Sequence, residues 1–264
     1  MTQRRVLITG AGSGLGRALA ERHAVRGDAV ACADLDRGRA EATCAALPGS
    51  GHLAFAVDVG SDESMQALAD EVRAVWGRLD FLYNNAGIAS GGPMVETTME
   101  EWRRILEVDL LGVVRGCRLF LPEMLAAGRG AIVNTASFAG LAGAPGIMTY
   151  GVAKAGVVAL SEQLRAEVAT RGVQVSVVCP SFFRTNLMEG ALGSERVRSM
   201  ALRMMDSSPD TIDSVADAVF EQVGKGRFLI LPTRREPMRW RMKRWLPEAY
   251  FRMLLAKYAK ALAQ

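Results

Sequence analysis

The 264-residue chain contains no run of 18 uncharged apolar residues, so no stretch of it reads as a membrane-spanning helix. Its first apolar segment, Val6-Leu7-Ile8, follows Arg4-Arg5 and is cut off by Gly10, which makes it too short for a secretory signal. Histidine is scarce. His23 and His52 are the only two, neither lies in a ligand motif, and no metal centre is expected. The four cysteines, Cys32, Cys44, Cys117 and Cys179, show no C-x-x-C spacing and read as reduced core or helix residues of a cytoplasmic protein. No internal repeat, low-complexity linker or second core pattern is present, which leaves one large α/β domain as the expectation.

Half of the residues are hydrophobic, enough for a sizeable core. Short, β-branched apolar runs at 5–9, 29–33, 53–57, 79–83, 131–135, 173–179 and 228–231 read as buried parallel strands. Helical patterns alternate with them at 14–26, 37–47, 61–76, 99–127 (with a break near Gly112), 150–170 and 211–223. Such alternation predicts a doubly wound parallel sheet of about seven strands, a Rossmann fold with helices on both faces in three αβα layers. The domain is placed at 1–232, with a substrate lid at 181–210 and a basic, amphipathic helical tail at 233–264.

The most informative stretch is Thr9-Gly10-Ala11-Gly12-Ser13-Gly14-Leu15-Gly16, between the first strand and the first helix. Glycine allows a tight turn and close approach of a ligand, and the helix that starts there offers free N–H groups to a pyrophosphate. Gly10, Ser13, Gly14, Leu15 and Gly16 are therefore candidate cofactor ligands. The spacing is one residue wider than the common dinucleotide fingerprint, and a plain strand–helix joint would use the same residues. Asp34 ends the second strand eighteen residues after Gly16, where a carboxylate can accept from both ribose hydroxyls and repel a 2′-phosphate. It favours NAD over NADP. Asp36 fits better as the cap of the next helix. Asp58-Val59, after the third strand, is placed beside the adenine or in a turn.

Asn84-Asn85-Ala86-Gly87 follows the fourth strand and either lies against the cofactor or forms an ordinary turn. Tyr150 and Lys154 are one helical turn apart on one face, thirteen residues beyond Ser137 at the end of the fifth strand. Together these motifs resemble the single-domain short-chain dehydrogenase/reductase family. The resemblance runs over residues 5–232, on TGAGSGLG at 9–16, DV at 58–59, NNAG at 84–87, Ser137, YGVAK at 150–154 and CPSFFRT at 179–185.

That resemblance implies hydride transfer between a nicotinamide and a secondary alcohol or ketone. Tyr150 is then the general acid/base, Lys154 lowers its pKa and holds the nicotinamide ribose, and Ser137 orients the substrate oxygen. Thr185 and the backbone after Pro180 would hold the carboxamide, with Asn85, Ala86 and Gly87 along the cofactor. Asp109 stands where the family usually has Asn, and Ser181 where it usually has Gly. Asp109 either assists Lys154 or merely satisfies backbone at the helix break. The resemblance also implies a homodimer or homotetramer built on the 99–127 and 150–170 helices.

Ala142, Ile147, Met148 and the Met- and Phe-rich segment containing Phe182, Phe183, Leu187, Met188, Leu192, Met200, Leu202, Met204 and Met205 predict a pocket for an apolar body, Ile147 and Met188 among its contacts. Residues 232–264 carry nine Lys/Arg against two Asp/Glu, a balance of +7; the whole chain is +4, so the rest is −3. This slightly acidic domain argues against nucleic acid as a partner. The tail, with its Trp and Met among Arg, suits either peripheral contact with anionic lipid or packing on its own or a partner subunit. Two rival functions remain at this stage: an NADP-dependent ketoacyl-type reductase whose tail docks an acidic carrier, and a low-turnover, membrane-recruited NAD-binding sensor or scaffold.

Overall fold

The computed structural model describes residues 3–262. Strands β1 (Arg5–Thr9), β2 (Ala29–Asp34), β3 (Leu53–Ala56), β4 (Phe81–Asn84), β6 (Gly130–Thr135), β7 (Val173–Val178) and β9 (Leu229–Ile230) form one parallel sheet in the order β3-β2-β1-β4-β6-β7-β9. Helices α1 (Gly14–Val25), α2 (Arg37–Ala46) and α9 (Ile212–Gly224) cover one face. Helices α3 (Asp62–Trp76), α5 (Gly112–Ala127) and α7 (Met148–Val168) cover the other.

The strand alternation explains the two cores. Leu7, Leu82, Ile132 and Val175 point to the α3/α5/α7 side, whereas Val6, Ile8, Tyr83, Val133 and Val178 point to the α1/α9 side. Val6, Leu7 and Ile8 are all fully buried, each worth about 1.5–3 kcal/mol of transfer free energy. Because β1 lies between β2 and β4, the chain reverses direction across the sheet there. The loops after β1 and β4 separate and open a crevice at the carboxyl edge.

Several features differ from the sequence expectation. The fourth strand begins at Phe81 rather than Leu79. A two-stranded parallel pair, β5 (Ser90–Gly91) with β8 (Leu192–Gly193), ties the loop after β4 to the lid. These strands are two residues long and carry no pattern a sequence can show. The helical region at 99–127 is α4 (Met99–Leu106), a π-helical turn at Glu107–Leu111, then α5, so the break precedes Gly112. The lid holds one 3₁₀ turn (Asn186–Met188) and one helix, α8 (Glu195–Asp206). The short helix α6 (Ala139–Ala142) precedes α7, and the tail forms α10 (Glu236–Trp245) and α11 (Pro247–Leu262).

Buried polar groups pair among themselves. Asn84 Nδ2 donates to Asn134 Oδ1 at 2.9 Å, Asn134 Nδ2 to Ser161 Oγ at 3.0 Å, and Ser161 Oγ to the Val157 carbonyl at 2.7 Å, lacing β4, β6 and α7 together. Asn84 is therefore structural. A Cβ on Gly116 would overlap its amide, so α5 sits on β4 only because residue 116 is glycine.

On the other face His23, 1 % exposed, lies 2.7 Å through Nδ1 from Asp28 and 2.8 Å through Nε2 from the Tyr83 hydroxyl. A carboxylate can only accept, so the proton sits on Nδ1 and Tyr83 donates to Nε2. Burial lowers the pKa of His23 against the pull of Asp28. Burial also acts to raise Asp28, but His23 and Arg26 outweigh it and bring Asp28 down to about 2.

Below the ordinary imidazole value of 6.5 the unfolded chain binds a proton at His23 that the folded site refuses, so folded stability falls with pH there. The Asp28 contribution is present above 3.8 and disappears as pH falls toward 2. Urea denaturation should show stability falling between pH 7 and pH 5. His23→Gln should be less stable at pH 8 yet have a flatter slope across that window. An equal slope in both proteins would refute this account.

Candidate active site

The crevice holds a cavity of about 690 Å³, lined mainly by apolar groups. At its floor the turn after β1 is held against β4 through Thr9. Its hydroxyl accepts from the Asn85 N–H at 3.0 Å and the Ala86 N–H at 3.1 Å. Asn85 Nδ2 returns a bond to the Thr9 carbonyl at 3.0 Å, and Thr135 Oγ1 donates to Asn85 Oδ1 at 3.3 Å. Asn85 thus braces three strand ends, while Asn85, Ala86 and Gly87 line the cavity.

A Cβ on Gly16 would overlap the Gly10 carbonyl, so the helix can start this close to the turn only with glycine. Ser13 is the extended N-cap of α1 and its side chain makes no capping bond; no acid follows in the first turn. Gly10, Ser13, Gly14 and Leu15 line the cavity, and Gly16 lies just behind them. An uncapped helix N-terminus facing a cavity is the arrangement a diphosphate needs, and the residues present fit a dinucleotide.

Asp34 also lines the cavity. Its carboxylate accepts from the Gly12 N–H at 2.8 Å and the Asp36 N–H at 3.1 Å, and a Cβ on Gly12 would stand 2.8 Å from it. Asp36 caps α2 by accepting from the Arg39 N–H. The two acids thus have separate tasks. Asp58 accepts from the Gly60 N–H at 2.8 Å, closing its turn, and lines the cavity together with Val59. Arg39, which lies outside the sequence motifs, reaches the same end of the cavity from the first turn of α2 and pairs with Glu189 at 3.2 Å and Asp36 at 3.6 Å. A basic residue five positions after Asp34, on the helix just started, was its signal.

Ser137, Tyr150 and Lys154 meet on one wall. Ser137 Oγ accepts from the Ala139 N–H at 3.1 Å and donates to the Pro180 carbonyl at 3.4 Å. Thr149 Oγ1 donates to Ser90 Oγ at 3.0 Å, anchoring the start of α7 to β5. Lys154 is buried one turn further on. Its ammonium donates to the Thr135 carbonyl at 3.1 Å and lies 3.3 Å from Asp109 Oδ2 and 5.8 Å from the Tyr150 ring centre.

Asp109 is 0 % exposed, in the π-turn, and its Oδ1 accepts from the Ile88 N–H at 2.8 Å. It serves the loop after β4 and Lys154, not the backbone at the helix break. Burial pushes the Asp109 carboxyl up, with Lys154 and Ile88 opposing. Burial would lower Lys154, but Asp109 and Tyr150 more than offset it, so the lysine stays charged. Burial likewise raises the Tyr150 phenol, against Lys154 and Ser137.

The Pro180 carbonyl accepts from the Phe138 N–H at 2.8 Å, and Thr185 Oγ1 accepts from the Leu187 N–H at 3.3 Å; both residues line the cavity. Ile147 and Met188 line it as expected, as do Ala142, Phe182, Leu187 and Met204. Met148 and Leu202 do not. Met148 lies two residues before Tyr150, on the opposite side of α7, and both side chains are about 40 % exposed. The tail was not expected here, yet Tyr250, Met253, Leu254 and Tyr258 of α11 line the same cavity. Their spacing, i, i+3, i+4 and i+8, was the signal.

The family model described as short chain dehydrogenase matches residues 4–195. The cis-4-hydroxycyclohexanecarboxylate dehydrogenase of Sinomonas cyclohexanicum is 38% identical over 220 residues, 82% of this chain and 88% of that protein. A short-chain dehydrogenase/reductase from Burkholderia phymatum, solved in complex with NAD, superposes with a TM-score of 0.87 at 32% identity, covering 94% of this chain and 95% of that one. A short-chain dehydrogenase from Sphingobium yanoikuyae, solved with NADPH, gives 0.77 at 28% identity and 94% of each chain. The chain belongs to the short-chain dehydrogenase/reductase family, and is an NAD(P)-dependent oxidoreductase of CH–OH donors.

Removing one partner of a buried ion pair leaves a charge without compensation, which costs about 3–5 kcal/mol. Asp109→Ala should lose stability of that order in urea denaturation. Asp109→Asn keeps an acceptor for Ile88 and should lose much less. Equal losses would mean that the missing charge opposite Lys154, and not the bond to Ile88, carries the effect.

Proposed function

We propose that this protein is an NAD-dependent dehydrogenase/reductase of a secondary alcohol or ketone with an apolar body. The observation that carries the reading is the meeting of Ser137, Tyr150 and Lys154 on the wall of an apolar cavity whose floor is the uncapped α1 N-terminus. The cofactor supplies hydride transfer at its nicotinamide C4.

Tyr150 gives its phenolic proton to the ketone oxygen in reduction, or takes the hydroxyl proton in oxidation. Ser137, on the same wall, donates to the substrate oxygen and fixes its direction. Lys154 stabilises the phenolate electrostatically, and Asp109 keeps Lys154 charged and in place. Lys154 also holds the nicotinamide ribose hydroxyls, and Thr185 with the backbone after Pro180 holds the carboxamide. The cavity lining from Ala142, Ile147, Met188 and Met204 supports the apolar body.

NAD is favoured because the Asp34 carboxylate, fixed by two backbone N–H groups, would accept from ribose hydroxyls and repel a phosphate. Arg39 supports the second reading, NADP, although two acids already engage its guanidinium. A homodimer or homotetramer through α4–α5 and α7 also belongs to the proposal. So does contact of the tail's outer face with anionic lipid, supported by exposed Trp245 and Phe251 among exposed Arg241, Arg244 and Arg252.

Tyr150→Phe should keep cofactor binding and lose turnover by about 10²–10⁴-fold. Unchanged turnover would remove Tyr150 from the chemistry. Alcohol oxidation should rise toward alkaline pH as the phenol ionises, and Lys154→Met should move that rise higher still.

Binding titrations should give NAD about tenfold or more tighter than NADP, a difference of about 1.4 kcal/mol, with Asp34→Ala narrowing the gap. Tighter NADP binding by the wild type would make Arg39 the deciding residue.

A further inference from the structure

Residues 233–262 are joined to the domain as a wall, not as an appendage. Thr233 is 1 % exposed and its hydroxyl accepts from the Ser181 N–H at 3.3 Å, while the Arg234 N–H donates to Asp210 at 3.3 Å. Glu236, at the start of α10, is buried and paired with Arg239 at 3.0 Å. Trp240 packs on the core of the α7 face, and Lys243 Nζ donates to the Leu141 carbonyl in α6. These ties place α11 over the crevice. Tyr250 is 3 % exposed, and Met253, Leu254 and Tyr258 continue its stripe into the cavity.

The facing wall is α8, through Val197, Met200, Ala201 and Met204. Gly146 lies between them, its Cβ position 3.9 Å from Tyr258 and 4.0 Å from Val197. Apolar side chains from two separate segments thus enclose one space that also opens on Tyr150.

We infer that α11 sets the substrate range, with Tyr250, Met253 and Leu254 as specificity-determining residues that hold the apolar body of the alcohol or ketone against α8. The inference rests on the proposed reaction for its substrate but concerns a different part of the molecule. Ligand recognition by these three residues selects shape and length through apolar contact, with Arg198 and Arg239 also on the lining of the cavity. Met253 and Leu254 are flexible, so the wall accepts a series of lengths rather than one compound.

The test uses the full chain and 2-alkanols from C4 to C12 with NAD. Leu254→Ala should lower kcat/KM for the best medium-length alcohol about tenfold and move the optimum to bulkier substrates. Leu254→Trp should do the reverse, lowering kcat/KM for the long alcohols far more than for 2-butanol. Opposite shifts from truncation and filling are not expected of a residue that only supports the fold. Cofactor binding and the unfolding temperature without substrate should stay near wild type in both variants.

A second readout is independent of turnover: the rise in unfolding temperature caused by 2-alkanones in the presence of NADH, followed against chain length. It should respond to Leu254 in the same two directions. An unchanged length profile in both variants, in folded protein that binds cofactor, overturns the inference and leaves the hydride-transfer reading standing. A wild type that binds alkanones through Leu254 but turns over no alcohol keeps the wall and sinks the reaction. Loss of both signals in the wild type sinks both.

Discussion

The buried pair of Lys154 and Asp109 is the constraint on which the wall of Ser137, Tyr150 and Lys154 depends. Two charges taken out of water are stable only if each is matched, and each here has a second partner. Lys154 reaches the end of β6 through Thr135, and Asp109 reaches the loop after β4 through Ile88. The pair thereby fixes four elements relative to each other: α7, the π-turn, β4 and β6. Glycine makes this approach possible at Gly87, whose Cβ position is 3.3 Å from both Asp109 Oδ1 and Lys154 Nζ. The π-turn has a use as well. Its wider coil, unlike regular helix, lies where Asp109 must turn inward beneath the loop.

Around that pair the electrostatics run in one direction. Lys154 is held charged by Asp109 and, in turn, opposes the upward pull of burial on Tyr150. No group on this wall acts by itself. Ser137 is anchored by α6, Tyr150 by Ser90 through its neighbour Thr149, and Lys154 by the end of β6 and by Asp109. Exposed parts of the site are less firmly built: Arg39 is half exposed and its ion pairs are with exposed acids, where such pairs contribute little.

Much of this was legible in the sequence, for physical reasons. Parallel strands are buried on both faces, so they appear as short β-branched runs, and all seven were found. The turn after β1, Asp34 against Asp36, and the i, i+4 spacing of Tyr150 and Lys154 all depend on near neighbours. What escaped depends on distant ones. Asn84 opens a stretch that reads as either a cofactor loop or an ordinary turn, yet it pairs with Asn134, fifty residues away. Met148 looked like a pocket residue until the phase of α7 was known. The tail's stripe said that one face would be covered, yet nothing local could say by what; the answer lay in α6, α8 and the cavity. Asp109 could be read as a departure from the family Asn, but its bond to Ile88 needed the fold.

Helix α11 has two surfaces with different neighbours. One closes the cavity; the other carries Phe251 and Leu255, 55 % and 49 % exposed, beside Arg252. A rigid helix cannot move one face and leave the other. Anything that grips the outer face more tightly in one position of the helix must alter affinity in the cavity, and an occupant of the cavity must alter that grip by the same factor. One helix thus presents one face to the cavity and the other to the exterior.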